Sequence, residues 1–262
     1  MKICFIGNSH LAAVKHGFDQ IARQDPVKDL DVTFFGAPST SLKHLRYADG
    51  KLFAGNEALR QRLQKISNGL SEIELAPYDL MVVLGGQLHV TTALNLFAQY
   101  RPVSLIRDGS ELISESAFEG TLDDLFELAT ATHVLKLIAP AHKRTLIVPA
   151  PLRNELVVGQ GEYAYLQDKS YARDAVDWIV GACRRSWAKI ALKFDADLLD
   201  QPAQSIGEVG LTKAEFAGRR TFRDNQWFDE PDTIHANEAY GALLFKHFRS
   251  YLRESGARAE AT

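Results

Sequence analysis

Short apolar segments alternate along the chain with longer stretches of helical periodicity. Each of the strongest apolar segments is followed at once by glycine or proline, and these segments are Ile3–Ile6, Val32–Phe35, Leu80–Leu84 and Leu146–Val148. A weaker one lies near Asp197–Leu199. Continuous apolar strands that alternate with helices are typical of a parallel sheet covered on both faces. The pattern therefore predicts an α/β fold.

Apolar residues at helical spacing predict the helices between these strands. Two stripes are clear, namely Leu11, Val14, Phe18 and Ile21, and then Leu59, Leu63, Ile66 and Leu70. Further helices are predicted around Leu122–Leu137 and Asp174–Ala191, and a last one carries Tyr240, Leu244, Phe248 and Tyr251 on one stripe.

The chain shows no internal repeat, low-complexity linker or break in composition, so we expect one domain over residues 1–262. Two stretches, residues 86–121 and 150–170, are longer than a compact crossover between parallel strands needs. We expect them to form loops or small caps above the strand ends. Ligands of open α/β sheets bind outside the carboxyl ends of the strands, so such loops would shape a substrate site.

Composition narrows the class of protein. The 262 residues carry 33 acidic against 30 basic side chains and a formal net charge of −3, which argues against nucleic-acid binding by bulk electrostatics. Cys4 and Cys183 are too few for a disulfide framework or a Cys-rich metal site. No apolar run approaches a membrane span or a secretory signal, and we expect a cytoplasmic location.

The turn Gly7-Asn8-Ser9-His10 follows the first strand and precedes the first helix. A serine at this point can stand exposed, and the helix N-terminus behind it offers N–H groups that favour a developing oxyanion. Asn and Ser are also preferred helix N-caps, so a purely structural role stays open.

Asp232 and His235 lie just before the last helix. A serine hydroxyl needs a base to remove its proton, and that base needs an acceptor on its other ring nitrogen. An Asp three residues before a His can reach it within one loop turn. An unrelated surface Asp and loop His would give the same spacing.

Glycines follow the second and third strands, at Gly36 and in Gly85-Gly86-Gln87. They are ordinary turn residues unless the Gly36 N–H and the Gln87 side-chain amide both point at an oxyanion.

Taken together, the order of these four elements resembles the SGNH (GDSL-type) hydrolase superfamily, which is named for Ser, Gly, Asn and His in four blocks. Gly7-Asn8-Ser9 is similar to the Gly-Asp-Ser turn, and Gly36 to the glycine of the second block. Gly85-Gly86-Gln87 falls on the Gly-x-Asn block, and Asp232 with His235 on the final Asp-x-x-His. The sequence departs from the family at Asn8, where the family has Asp, and at Gln87, where it has Asn.

The resemblance implies a three-layer α/β/α fold with a flavodoxin-like, doubly wound parallel sheet. It also implies a serine esterase acting on a small O-acyl group, such as O-acetyl on a carbohydrate. Ser9 would be the nucleophile, His235 the base and Asp232 its orienting carboxylate. The N–H groups of Ser9 and Gly36 and the Gln87 amide would form the oxyanion hole, and no cofactor or metal would be needed.

Two alternatives remain open at this point. The same residues can serve an O-acyltransferase, and Gln87 and Asn8 allow a catalytically impaired member that only binds a carbohydrate or a partner. His10 and His89 flank the expected site and are candidate substrate contacts. A zinc site made by these two and His235 lacks a close-spaced ligand motif. The expected partner is a small-molecule or carbohydrate ester, with no nucleic acid and no membrane, and the oligomeric state is left open.

Overall fold

A computed structural model describes residues 1–25, 27–106, 111–141, 144–223 and 226–260. Its centre is a five-stranded parallel sheet. The strands of the chain are β1 (Lys2–Gly7), β2 (Asp31–Gly36), β3 (Leu45–Ala48), β4 (Lys51–Ala54), β5 (Glu72–Glu74), β6 (Leu80–Leu84), β7 (Tyr100–Pro102), β8 (Glu111–Ile113), β9 (Thr145–Val148), β10 (Asp197–Leu198), β11 (Ala217–Gly218), β12 (Thr221–Arg223), β13 (Gln226–Phe228) and β14 (Asp232–Ala236). The helices are α1 (Leu11–Gln24), α2 (Glu57–Ile66), α3 (Val90–Gln99), α4 (Glu115–Glu127), α5 (Thr130–Ile138), α6 (Lys169–Lys193) and α7 (Glu238–Glu260).

The central sheet has the order β10-β9-β6-β1-β2, and all its neighbouring strands are parallel. Read from the other edge, its strands follow the order 2-1-3-4-5 of a flavodoxin-like doubly wound sheet. The chain order therefore reverses next to β1. The five strands that the sequence predicts are the five strands of this sheet, including the weak one near residue 197.

Alternate residues of each central strand face opposite helical layers, because successive side chains of a strand point to opposite sides. Ile3 and Phe5 pack with α1 and α7, whereas Cys4 and Ile6 pack with the layer that contains α2, α3, α5 and α6. Both faces are thus buried, which explains why these strands are continuously apolar. The fold is a three-layer α/β/α arrangement, as predicted.

Helices α1 and α7 pack against each other without side chains between them at one point. A Cβ atom on Gly241 would fall inside the backbone at Ala13, and one on Gly17 would fall inside the backbone at Ala242. Each helix begins directly after a predicted site segment, α1 after Ser9-His10 and α7 after His235. This close approach therefore fixes the distance between the two segments.

Two helix predictions differ from the structure. The second stripe ends at Ile66, and Leu70 lies beyond α2 with 38% of its surface exposed. The helix expected over Leu122–Leu137 is divided into α4 and α5, because Ala129 is extended between them. The division frees N–H groups at the start of α5, and those of Thr130 and Ala131 bond the turn after β6.

The two long stretches differ from each other. Residues 86–121 are not an open loop, since they contain α3, whose Leu94 and Phe97 are fully buried in the core. Apolar residues at helical spacing drive this burial. Residues 150–168 hold only two short 3₁₀ helices before α6 begins. Among the described residues, no helix has the length and apolar character that crossing a bilayer requires.

Candidate active site

Ser9, His235 and Asp232 form a continuous chain of hydrogen bonds, although 226 residues separate the first two. The Ser9 Oγ lies 2.9 Å from His235 Nε2, and His235 Nδ1 lies 2.7 Å from Asp232 Oδ2. Because the carboxylate accepts from Nδ1–H, it leaves Nε2 as the nitrogen that faces the hydroxyl. This geometry can transfer the serine proton to the imidazole.

The Asp232 carboxylate is held by the backbone of its own strand, β14. Its Oδ1 accepts from the backbone N–H of Ile234 at 2.8 Å and of His235 at 3.0 Å, so both of its oxygens are engaged. The Asp232 side chain is 14% exposed, whereas that of His235 is 40% exposed. Burial raises the pKa of Asp232, but its hydrogen bonds to His235 and to the backbone outweigh burial and leave the pKa below its ordinary value.

The hydroxyl of Ser9 does not cap a helix. The N-cap of α1 is His10, and its side chain makes no capping bond. The His10 N–H lies at a long distance of 3.4 Å from Asn8 Oδ1. Because the Ser9 hydroxyl bonds His235 instead, the structural alternative raised by the sequence does not describe this residue.

Gly85 packs directly against the turn that carries Ser9. Its φ is +70°, and a Cβ on it would lie 2.6 Å from Asn8 Oδ1 and 3.3 Å from the His10 ring. Only glycine adopts this conformation without strain and leaves room for the Asn8 side chain. Gly85 thus has a packing role against the Ser9 turn, which the sequence alone does not reveal.

The structure corrects the predicted oxyanion hole at Gly36, whose N–H already has another partner. Its N–H donates to Ser67 Oγ at 3.0 Å, and both groups are buried. This N–H group is therefore not a free donor in the structure. The sequence gives no sign of this bond, because Ser67 lies 31 residues later, just after α2.

Gln87 is held at the start of α5 by its side-chain oxygen. Its Oε1 accepts from the N–H of Thr130 at 3.2 Å and from the Thr130 hydroxyl at 2.9 Å. Since both partners are donors, the amide oxygen must be the atom facing them, and the two N–H groups of Nε2 point elsewhere. The backbone φ of Gln87 is +71°, an uncommon conformation for a residue with a side chain.

His10 lies against the ring of His235, with 5.2 Å between the ring centroids. It is 7% exposed, and its Nδ1 is buried without a hydrogen-bond partner in the described structure. Burial and the neighbouring His235 and His89 lower the pKa of His10 to about 3. His10 is accordingly a neutral imidazole packed behind the base, and its burial argues against the predicted substrate contact.

His89 is more accessible than His10 and precedes α3. Its Nδ1 lies 3.3 Å from Thr92 Oγ1. Burial, together with the charge of Arg153, lowers the pKa of His89. Arg153 is a neighbour of the site that the sequence reasoning missed. Within the described residues, no group of three or more His, Cys, Asp or Glu side chains has a metal-binding arrangement.

Comparisons with known proteins add little beyond this geometry. No family model and no curated protein matches the sequence. A solved structure of a point mutant of Axe2, described as an acetyl-xylooligosaccharide esterase from Geobacillus Stearmophilus, matches 94% of this chain and 91% of its own. The identity is 12% and the TM-score 0.38, so this likeness does not bear on the activity of the present chain.

Proposed function

We propose that this protein is a serine esterase of the SGNH type, which hydrolyses a small O-acyl ester through an acyl-serine intermediate. The single observation that carries the proposal is the hydrogen-bonded chain Ser9–His235–Asp232 at the carboxyl end of a doubly wound sheet. Ligands of such sheets bind at this end. An O-acetyl group on a carbohydrate is the candidate substrate.

In the proposed reaction, the Ser9 oxygen attacks the ester carbonyl while His235 Nε2 takes its proton. Asp232 keeps Nδ1 protonated and stabilises the imidazolium that forms. When the tetrahedral intermediate collapses, the alcohol leaves with the proton from His235. Water then attacks the acyl-serine and gives a proton to His235. When this second intermediate collapses, the bond between the acyl carbon and the Ser9 oxygen breaks, His235 returns the proton to that oxygen, and the acid leaves.

The negative charge of the tetrahedral oxygen needs preorganised donors. The Ser9 N–H and the Nε2 group of Gln87 are the proposed donors, and neither has another hydrogen-bond acceptor described for it. Anchoring of Oε1 on Thr130 supports the role of Gln87, because it fixes the orientation of the amide. The bond from Gly36 to Ser67 leaves this hole with one donor fewer than the sequence predicted.

That missing donor favours one second candidate function, a catalytically impaired protein that binds a carbohydrate or a partner. Loss of one oxyanion donor typically costs about 10²–10³ in rate. The two functions differ in whether Ser9 is nucleophilic, which can be measured without knowing the natural substrate.

The test is covalent labelling with a fluorophosphonate, followed by mass spectrometry to map the modified residue. We expect labelling at Ser9, its loss in Ser9→Ala, and a reaction slower by about 10³-fold or more in His235→Ala, since a serine without its base is a poor nucleophile. His16→Ala, which removes an exposed histidine of α1, is the matched control and should label at the wild-type rate.

If folded wild-type protein is not labelled at Ser9 while a known serine esterase reacts alongside it, the esterase proposal is wrong and the binding function takes its place. If Ser9 is labelled, hydrolysis of acetylated sugars with and without an added sugar acceptor then separates an esterase from an acyltransferase.

A further inference from the structure

Arg153 lies on a short segment that joins the two sides of the candidate site. At one end of the segment, the Ala150 N–H donates to the Leu88 carbonyl at 2.8 Å, next to His89. At the other end, the Asn154 N–H donates at 3.2 Å to the carbonyl of Thr233, which lies between Asp232 and His235. The backbone of Arg153 is therefore fixed between the segment that precedes α3, which contains Leu88 and His89, and strand β14, which contains Asp232 and His235.

The side chain of Arg153 is held in place by an aromatic ring. Its guanidinium carbon lies 5.5 Å from the centre of the Tyr163 ring, and the Tyr163 hydroxyl donates to Asn95 Oδ1 at 3.2 Å. Asn95 belongs to α3, the helix that starts just after His89. The guanidinium thus lies on the His89 side of the site, and its charge acts on that histidine.

The guanidinium of Arg153 interacts with the Tyr163 side chain but forms no ion pair with an acidic residue in the described part of the protein, and its Nε is buried without a hydrogen bond. Other arginines of the chain are paired, for example Arg173 with Asp177, Arg184 with Asp200 and Arg185 with Glu119. A buried N–H group of an arginine without an acceptor is unfavourable unless a ligand supplies that acceptor. The planar guanidinium is suited to the two oxygens of a carboxylate or phosphate.

We propose that Arg153 binds an anionic group, a carboxylate or a phosphate, on the molecule whose ester Ser9 attacks. The substrate class is then the O-acyl ester of an acidic sugar or of a similar anionic alcohol. His89 adds a neutral hydrogen-bonding group beside it. This inference rests on the proposed function, because the bound molecule is a substrate only if Ser9 attacks its ester. The anion site itself can be tested by binding alone.

The experiment measures binding to Ser9→Ala, in which the ester stays intact. The ligands are an O-acetylated methyl glucuronoside, the matching O-acetylated methyl glucoside, and O-acetylated glucose 6-phosphate, each titrated by calorimetry. We expect one of the two anionic ligands to bind more tightly than the neutral glucoside, by about 10-fold or more. A charge-assisted bidentate contact with Arg153 is strong enough to give a difference of this size. The ligand that does so identifies the anionic group as carboxylate or phosphate.

Substitution of the arginine in the Ser9→Ala background tests its role. Arg153→Gln should remove the preference for the anionic ligand, and Arg153→Lys should retain part of it. Arg101→Gln is the matched control, since Arg101 also packs among aromatic rings and has a buried, unpartnered Nε, but lies in β7, beyond the C-terminal end of α3. It should leave the preference unchanged.

Equal affinity for the charged and neutral ligands, no binding of any of them, or a preference that survives Arg153→Gln would overturn the inference. Failure of the proposed function is a separate result, because it is read from the absence of Ser9 labelling in wild-type protein.

Discussion

The conformation of Gln87, near Ser9, is set by its hydrogen bonds to a more distant residue, Thr130. Gln87 stands in a left-handed conformation and uses its side-chain oxygen to bind Thr130. Such strain at a residue is expected only where the surrounding contacts over-determine it. At this scale, the question is whether the Gln87 amide is a working oxyanion donor.

We expect Gln87→Ala to lower the rate of ester hydrolysis by about 10²–10³, because one amide donor to the oxyanion is lost. Gln87→Asn should preserve or raise the rate, since it keeps an amide and adopts positive φ more readily. Steady-state kinetics on an acetyl ester check both variants. Wild-type activity in both would exclude a role for Gln87 in the oxyanion hole.

His10 predicts a pH dependence of stability with a definite sign. Its folded-state pKa of about 3 lies below the ordinary value of 6.5, so the unfolded chain binds a proton that the folded protein does not. The stability that His10 contributes is present above pH 6.5 and is lost progressively as the pH falls towards 3. Between pH 7 and pH 5 this amounts to about 2 kcal/mol.

The matched variant is His10→Phe, which keeps an aromatic ring against His235 and cannot titrate. Urea unfolding at about pH 7 and about pH 5 should show a smaller decrease in the free energy of unfolding for this variant than for the wild type. An equal decrease in the two proteins would mean that His10 is charged in the folded state or is not buried.

At the scale of elements, the packing of α1 on α7 brings together two segments that are remote in sequence. Gly17 and Gly241 allow the two helix backbones to touch, and the Ser9 and His235 segments precede these helices directly. The distance of 2.9 Å between the two reacting groups therefore depends on the absence of two side chains.

Gly241→Ala should destabilise the protein by about 1–3 kcal/mol, because the added methyl must push the two helices apart. It should also slow fluorophosphonate labelling of Ser9. Gly120→Ala is the control, since Gly120 lies in α4 with open space around it, and there alanine should be neutral or stabilising by up to about 1 kcal/mol. Urea unfolding gives the free energy of unfolding of both variants. Equal values for Gly241→Ala and Gly120→Ala would contradict the close packing of α1 on α7.

At the scale of the whole molecule, the reactivity of the two cysteines tests whether the core between the sheet and α6 stays closed. Cys4 and Cys183 are both fully buried in the core between the sheet and α6, and burial raises the pKa of both thiols. We expect neither thiol to react with a disulfide reagent in the native protein and both to react on unfolding in urea. Rapid reaction of either thiol under native conditions would show that this layer opens.

The sheet itself was predictable from the sequence because its strands are buried on both faces. Ile3–Ile6 and Leu80–Leu84 are apolar at every position, as is typical of strands buried on both faces. The division between α4 and α5 was not predictable, since the apolar pattern continues through Leu128 and Ala129. The helix breaks there because its freed N–H groups bond the turn after β6, and that turn is 43 residues away.

The sequence by itself determined the layered α/β class and the five central strands, because these depend on local periodicity. The candidate triad followed from the resemblance to a known superfamily, since Ser9 and His235 lie 226 residues apart and no local pattern pairs them. The tertiary structure alone decided which donors remain available. Gly36 is bonded to Ser67, Gln87 is anchored on Thr130, and the Nε of Arg153 is buried without a hydrogen-bond partner among the described residues. Each of these outcomes depends on contacts between residues far apart in the chain, and local patterns carry no information about such contacts.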